Sequence, residues 1–102
     1  MKLVWLENGA GDICAEVLAT VPHWFGMSEA NLEYRRVSDR HPTVVAMTDG
    51  RAVGFATVIR HSAHAAELHV MAVRSEFHRN GIGRTLVGAV EERLRSEGVE
   101  YL

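Results

Sequence analysis

The sequence predicts an α/β (α+β) fold: a mixed, mainly antiparallel sheet with flanking helices, in the order β-α-α-β-β-β-α-β. Three observations predict it. Two β-prone alternating runs meet at Asp49-Gly50, a strong hairpin signal, because the favoured two-residue turn needs φ > 0 at both central positions. Ile82, Leu86, Val87, Val90 and Leu94 recur at helical spacing within Gly81 to Glu97. That helix lies between two strand-like runs, the pattern of a parallel crossover, which is right-handed in nearly all sheets.

Taken in order, Lys2 to Glu7 is short, apolar and β-prone, and Asn8-Gly-Ala-Gly11 stops it. Asp12 fits an N-cap, with Ile13, Val17 and Leu18 at helical spacing behind it and Pro22 closing the run. Ser28 is a second N-cap candidate, for a helix from Glu29 to about Asp39 that Pro42 ends. Thr43 to Met47 and Ala52 to Arg60 are the hairpin strands, and Ala65 to Val73 follows a polar loop. Arg74 to Asn80 leads into the long helix, Gly98 supplies its C′ stop, and Val99 to Leu102 has strand character. Residues 1–102 read as one domain.

Composition narrows the partners. Apolar residues make up 47% of the 102 and charged residues 24%, a globular balance. The formal net charge of -2 offers no basic stripe, which argues against nucleic acid. The single Cys14 excludes an internal disulfide framework and a cysteine-based zinc site; on the first helix it reads as a small core residue. No run approaches the ~18 apolar residues of a spanning helix, and the start carries no signal-peptide pattern, so we expect no membrane and a cytoplasmic setting.

The stretch Phe77 to Leu86, FHRNGIGRTL, raises the functional question. A glycine costs a helix roughly 1 kcal/mol relative to alanine, yet two stand at the start of this one. A helix N-terminus offers about four backbone N–H groups without partners and roughly half a positive charge. With no Cβ at Gly81 and Gly83, an anion can reach those donors, and Arg79 and Arg84 add charge at the rim. A loop needing φ > 0 at Gly81 and close packing at Gly83 explains the same glycines. Both explanations stand at this point. Two familiar phosphate motifs fail: a dinucleotide fingerprint wants glycine where Leu86 stands, and a P-loop ending at Gly88 wants Lys and Ser/Thr where Ala89 and Val90 follow.

The segment Ala66-Glu-Leu-His-Val-Met-Ala-Val-Arg-Ser-Glu-Phe-His-Arg-Asn-Gly-Ile-Gly-Arg84 resembles motif A of the GNAT superfamily of N-acetyltransferases, with His78 in the position the family gives to Gln or Arg. The order of elements agrees with that family along nearly the whole chain. The resemblance implies transfer of the acetyl group of acetyl-CoA, the co-substrate, to a primary amine in a ternary complex, without a metal. It implies that Arg79, Asn80, Gly81, Ile82, Gly83 and Arg84 hold the pyrophosphate. Met71, Ala72 and Val73 would pair with the pantetheine arm, and a main-chain N–H there would polarise the thioester carbonyl. Trp24, Phe25 and Tyr34 lie in the region that commonly lines the acceptor pocket; aromatic core packing is the competing explanation.

The acceptor amine needs a base. A lysine-like amine with a pKa of about 10.4 is nucleophilic in roughly one molecule of a few thousand at pH 7. By alternation, Glu67, His69, Met71 and Val73 share one face of their strand, while Leu68, Val70 and Ala72 turn to the core. In the histone-acetylating branch of the family a glutamate matching Glu67 is the general base, so Glu67 is the first candidate and His69 its helper or substitute. His61 and His64 read as polar loop residues rather than metal ligands. The resemblance also implies a further helix and strands after Leu102, carrying the tyrosine that protonates the leaving thiolate. A chain without them should bind cofactor weakly and turn over slowly. Its open sheet edge invites a homodimer, and a non-catalytic CoA- or acyl-CoA-binding or oligomerisation module is the alternative function.

Overall fold

A computed structural model describes residues 1–21 and 28–100. Strands β1 (Lys2–Leu6), β2 (Thr43–Thr48), β3 (Arg51–Arg60) and β4 (Ala66–Val73) form one antiparallel sheet in the spatial order β1-β2-β3-β4. Helices α1 (Gly11–Leu18) and α2 (Ser28–Arg40) cover one face, and α3 (Ile82–Ser96) covers the other. The α+β class and the order of elements follow the sequence closely. Asp49 and Gly50 turn the β2–β3 hairpin with φ of 53° and 76°, the left-handed pair that the Asp-Gly signal calls for.

The two cores explain the burial pattern. On one face Val44, Ala46, Ala56 and Val58 meet Ile82, Leu86, Val90 and Leu94, which are the apolar stripe of α3. On the other, Val45, Phe55, Val70 and Ala72 meet Cys14, Val17 and Leu18 of α1. Central strand β3 is therefore buried on both faces from Ala52 to Val58 and reads as an almost continuous apolar run. Three hydroxyls are buried between α2 and the sheet: Thr57 bonds Ser38 at 2.8 Å and Thr43 at 2.9 Å.

Three local expectations need correction. Asp12 does not cap α1: Ala10 occupies the cap position without a side-chain bond, and Asp12 instead pairs with Arg35 of α2. The cap comes from across the chain, where the Gly11 N–H donates to Asp39 Oδ1 at 2.7 Å. A Cβ at Gly11 would stand 2.5 Å from that oxygen, so only glycine fits. Secondly, Val99 and Glu100 do not form a strand, and Tyr101 and Leu102 lie outside the described residues. The Glu100 N–H still donates to the His64 carbonyl at 3.0 Å, so after α3 the chain returns beside the start of β4, as a crossover requires.

The third correction concerns β4. Its register with β3 runs Thr57↔Val70 and then Val58↔Leu68, which leaves His69 as an extra residue. Two residues opposing one is a β-bulge, and it shifts the alternation by one. Met71 and Val73 therefore pack on the α3 side with Leu68 and Ala66, while Val70 and Ala72 pack on the α1 side. Glu67 pairs with Ile59, one step from Val58, and so faces the α1–α2 side. The expected shared face of Glu67, His69, Met71 and Val73 does not exist.

Candidate active site

Two groups of candidate residues lie along β4, one at each side of the bulge. At the C-terminal end, Met71, Ala72, Val73, Phe77, His78, Arg79, Gly81, Ile82 and Gly83 line a cleft of about 530 Å³. Most of the residues expected to hold the cofactor are thus together. Asn80 and Arg84 are not among the lining residues and are exposed beside it. Phe77 and His78 join the lining, and neither was expected there.

Two glycines stand in the cleft lining. Gly81 caps α3 at φ 78°, in the left-handed region, so the conformational explanation for this glycine holds. Gly83 is different. Its φ needs no glycine, and an added Cβ would meet only Met71 Cε at 3.9 Å, an ordinary contact. Close packing within the chain does not account for Gly83; open space toward the cleft remains. Arg79 also stands at positive φ, 68°, which a bulky residue adopts at a cost of order 1 kcal/mol or more.

Side chains hold this strained loop in place. His78 Nε2 donates to the Val73 carbonyl at 2.7 Å, tying the loop to the last residue of β4. Arg74, at the loop's first position, is buried; its Nε donates to the Ala52 carbonyl at 2.7 Å, and its guanidinium pairs with Glu16 of α1. A charged residue at a strand end gives no hint in the sequence that it is internal. The start of α3 has no side-chain cap and no acidic residue in its first turn. The start of α1, by contrast, is filled by Asp39. Of these two helix starts, that of α3 leaves its donors open to an external anion.

At the other side of the bulge, Glu67 binds two imidazoles. His69 Nδ1 lies 3.0 Å from Oε2, and His61 Nε2 lies 2.8 Å from Oε1. These bonds, that from His69 first and that from His61 second, hold the Glu67 carboxyl below the usual carboxylate range. The His69 ring meets the edge of Tyr34 of α2 at 5.9 Å and 73°. His69 Nε2 and Asn31 Oδ1 are buried with no hydrogen-bond partner among the described residues. Asn31 stands one turn before Tyr34 on α2 and escaped the sequence reading, as did His61's place on Glu67. Trp24 and Phe25, the other expected acceptor-pocket residues, lie outside the described residues.

Cys14 is fully buried, and desolvation pushes its thiol up to about 11, so it is a core residue and a poor nucleophile. Among the described residues no group of three His, Cys, Asp or Glu could hold a metal ion, and no helix is long and apolar enough to cross a membrane.

Comparison with known proteins gives the family and the fold. Residues 13–102 match the acetyltransferase (GNAT) family. Increased DNA methylation 1 of Arabidopsis thaliana is 35% identical over 86 residues, a match covering 80% of this chain and 7% of that protein. An aminoglycoside 6'-N-acetyltransferase complexed with coenzyme A superposes with a TM-score of 0.76 at 23% identity, over 97% of this chain and 58% of that one. The aminoglycoside 6'-N-acetyltransferase from Enterococcus faecium gives 0.75 at 25% identity, again over 97% and 58%. The chain thus spans under three-fifths of these two structures and a small part of the plant protein.

Proposed function

The chain belongs to the acetyltransferase (GNAT) family, and on that premise we propose that it transfers an acetyl group from acetyl-CoA to a primary amine, by direct attack within a ternary complex. The observation that carries this reading is the start of α3, where Gly83 keeps a helix N-terminus bare beside a cleft of about 530 Å³. A Cβ there would meet nothing closer than Met71 Cε at 3.9 Å, so the chain itself does not require the glycine, and its bare backbone suits a cofactor's phosphates. Arg79, at the rim, adds positive charge. Met71 and Val73 give the cleft an apolar wall suited to the pantetheine arm.

When bound, acetyl-CoA supplies an activated acyl thioester. The chain's own work is then to orient, to polarise and to take a proton. Free donors at the start of α3 bind charge, and the open edge of β4 brings main-chain groups to the cleft. The Glu67–His69 pair, across the bulge, provides the proton acceptor that an ammonium substrate requires. The acceptor is an amine-bearing molecule.

Calorimetric titration with CoA, beside thiol release from acetyl-CoA over a panel of amines, tests the proposal. Binding with amine-dependent release is the expected result. Binding without release for any amine would make the chain a CoA- or acyl-CoA-binding module. No binding would leave the cleft without its assigned occupant.

A further inference from the structure

We infer that the outer face of α3 is an interface on which a second copy of this chain docks, antiparallel and crossing at Gly88. The inference is independent of the acetyl-transfer reading. It starts from a glycine with no task inside the chain. Gly88 is exposed in the middle of α3, and an added Cβ there would meet nothing within 4 Å. Its φ is not positive, so no left-handed turn requires it. Glycine is the poorest helix former after proline, and nothing within the chain offsets that loss here.

The charges around it are equally unused. Arg84, Glu91, Glu92 and Arg95 are exposed on the same side of the helix. Among the described residues, Arg93 alone of the α3 charges is paired, with Glu7 and Glu97. Arg84 has no carboxylate three or four positions away on its own helix, so the helix cannot neutralise it. Glu91 and Glu92 have only Arg95 within that reach, which leaves one carboxylate over. Arg84 also lies outside the cleft lining.

The order of these residues decides what fits. Arg84, Gly88 and Glu92 form one ridge, with about 6 Å of helix axis between neighbours. A second copy laid antiparallel, Gly88 on Gly88, brings Arg84 of each chain opposite Glu92 of the other, twice by the two-fold symmetry. A parallel copy would set Arg84 against Arg84 and Glu92 against Glu92, so the charge order selects the direction as well. The absent Cβ at the crossing lets the two axes approach. Beside the ridge, Leu3, Trp5, Ala89, Glu92, Arg93 and Ser96 line a groove of about 380 Å³ between β1 and α3. Glu92 belongs to that lining, so the incoming Arg84 reaches the groove, and its methylene stem can cover Leu3, which is 36% exposed.

Sedimentation velocity of the whole chain from about 1 µM to about 1 mM, a range suited to a small interface, tests this. A reversible monomer–dimer equilibrium is expected. Gly88→Gln puts a good helix former into open space, so the monomer should be no less stable, yet the dimer dissociation constant should rise about tenfold or more. Arg84→Glu and Glu92→Arg should each raise it about tenfold, and the two exchanges together should recover most of that loss. The inference is overturned by a chain that stays monomeric throughout the range, by a dimer that Gly88→Gln leaves intact, or by a double exchange that recovers nothing. A dimer indifferent to every one of these substitutions would belong to another surface, such as the open edge of β4, and overturns it equally. None of these readouts involves CoA, so failure of the acetyl-transfer reading would leave the test standing.

Discussion

The two ends of β4 are built by different means. At its C-terminal end the cleft depends on backbone features: a left-handed Gly81, a bare Gly83 and a loop that the His78 side chain ties to Val73. At the other end the candidate chemistry is made of side chains, His61, Glu67 and His69, aimed by a one-residue bulge. The first end depends on which residues lack a Cβ. The second depends on register. The contrast teaches that the anion site and the proton site we propose on this one strand rest on separate features, so each should be breakable alone.

The largest effect should come from register. Deleting His69 removes the unpaired residue and leaves Val70 opposite Thr57 and Leu68 opposite Val58, so the fold should survive with its cleft intact. Deleting Val70 leaves His69 opposite Thr57, in a core that Val70 fills, and should cost several kcal/mol. Urea denaturation of the two deletions checks this; equal stability would remove the bulge from the argument.

Next in size is Gly83→Val. Its added methyls point at the cleft beside Met71, so CoA affinity should fall about 100-fold, while helix propensity favours valine over glycine by a few tenths of a kcal/mol. Gly81→Val should behave in the opposite sense, losing more stability because φ is 78° there. Calorimetry and thermal melts on the pair separate the two glycines. Undiminished affinity in folded Gly83→Val would end the anion-site reading.

The proton end's supporting layer is tested by Thr57→Val. Thr57 is the shared partner of buried Ser38 and Thr43, so its loss removes one buried bond from each, at about 1 kcal/mol apiece, while Thr43 keeps its bond to the His41 carbonyl. The midpoint of unfolding should drop with CoA binding retained.

The smallest effect concerns acid. Because the Glu67 carboxyl is lowered in the folded chain, first by His69 and then by His61, the unfolded chain binds more protons just below the ordinary carboxylate range. Stability from this contact is present above that range and is lost as pH falls through it. The carboxylate is exposed, so the change should be slight, and it should vanish in Glu67→Gln. Denaturation midpoints between pH 3 and pH 6 measure it.

Legibility follows the same division. The cleft could be read in the sequence because backbone requirements leave their mark as glycine at a fixed spacing after a strand. Even there, Arg74 and His78, which hold the loop, looked like ordinary polar residues. The proton end is legible in part: Glu67 and His69 stand out, but strict alternation puts them on one face with Met71 and Val73. Nothing about Leu68-His69-Val70 signals an extra residue, since this bulge contains no glycine; only pairing with β3 reveals it. His61 was set aside as a loop residue because its partner Glu67 lies six positions on, across a turn that spacing alone does not close. Asp12 reads as the cap of α1 because it is near in sequence, whereas Asp39 is near in space.

That long-range cap has a consequence for timing. Segment 11–18 is only eight residues, too short to hold a helix alone. The carboxylate that closes its first turn comes 28 positions later. During synthesis the segment must wait, uncommitted, until residue 39 has emerged, and the two helices then settle together. The Gly11 amide hydrogen is a clock for that event: it should gain protection from exchange only when the second helix has docked.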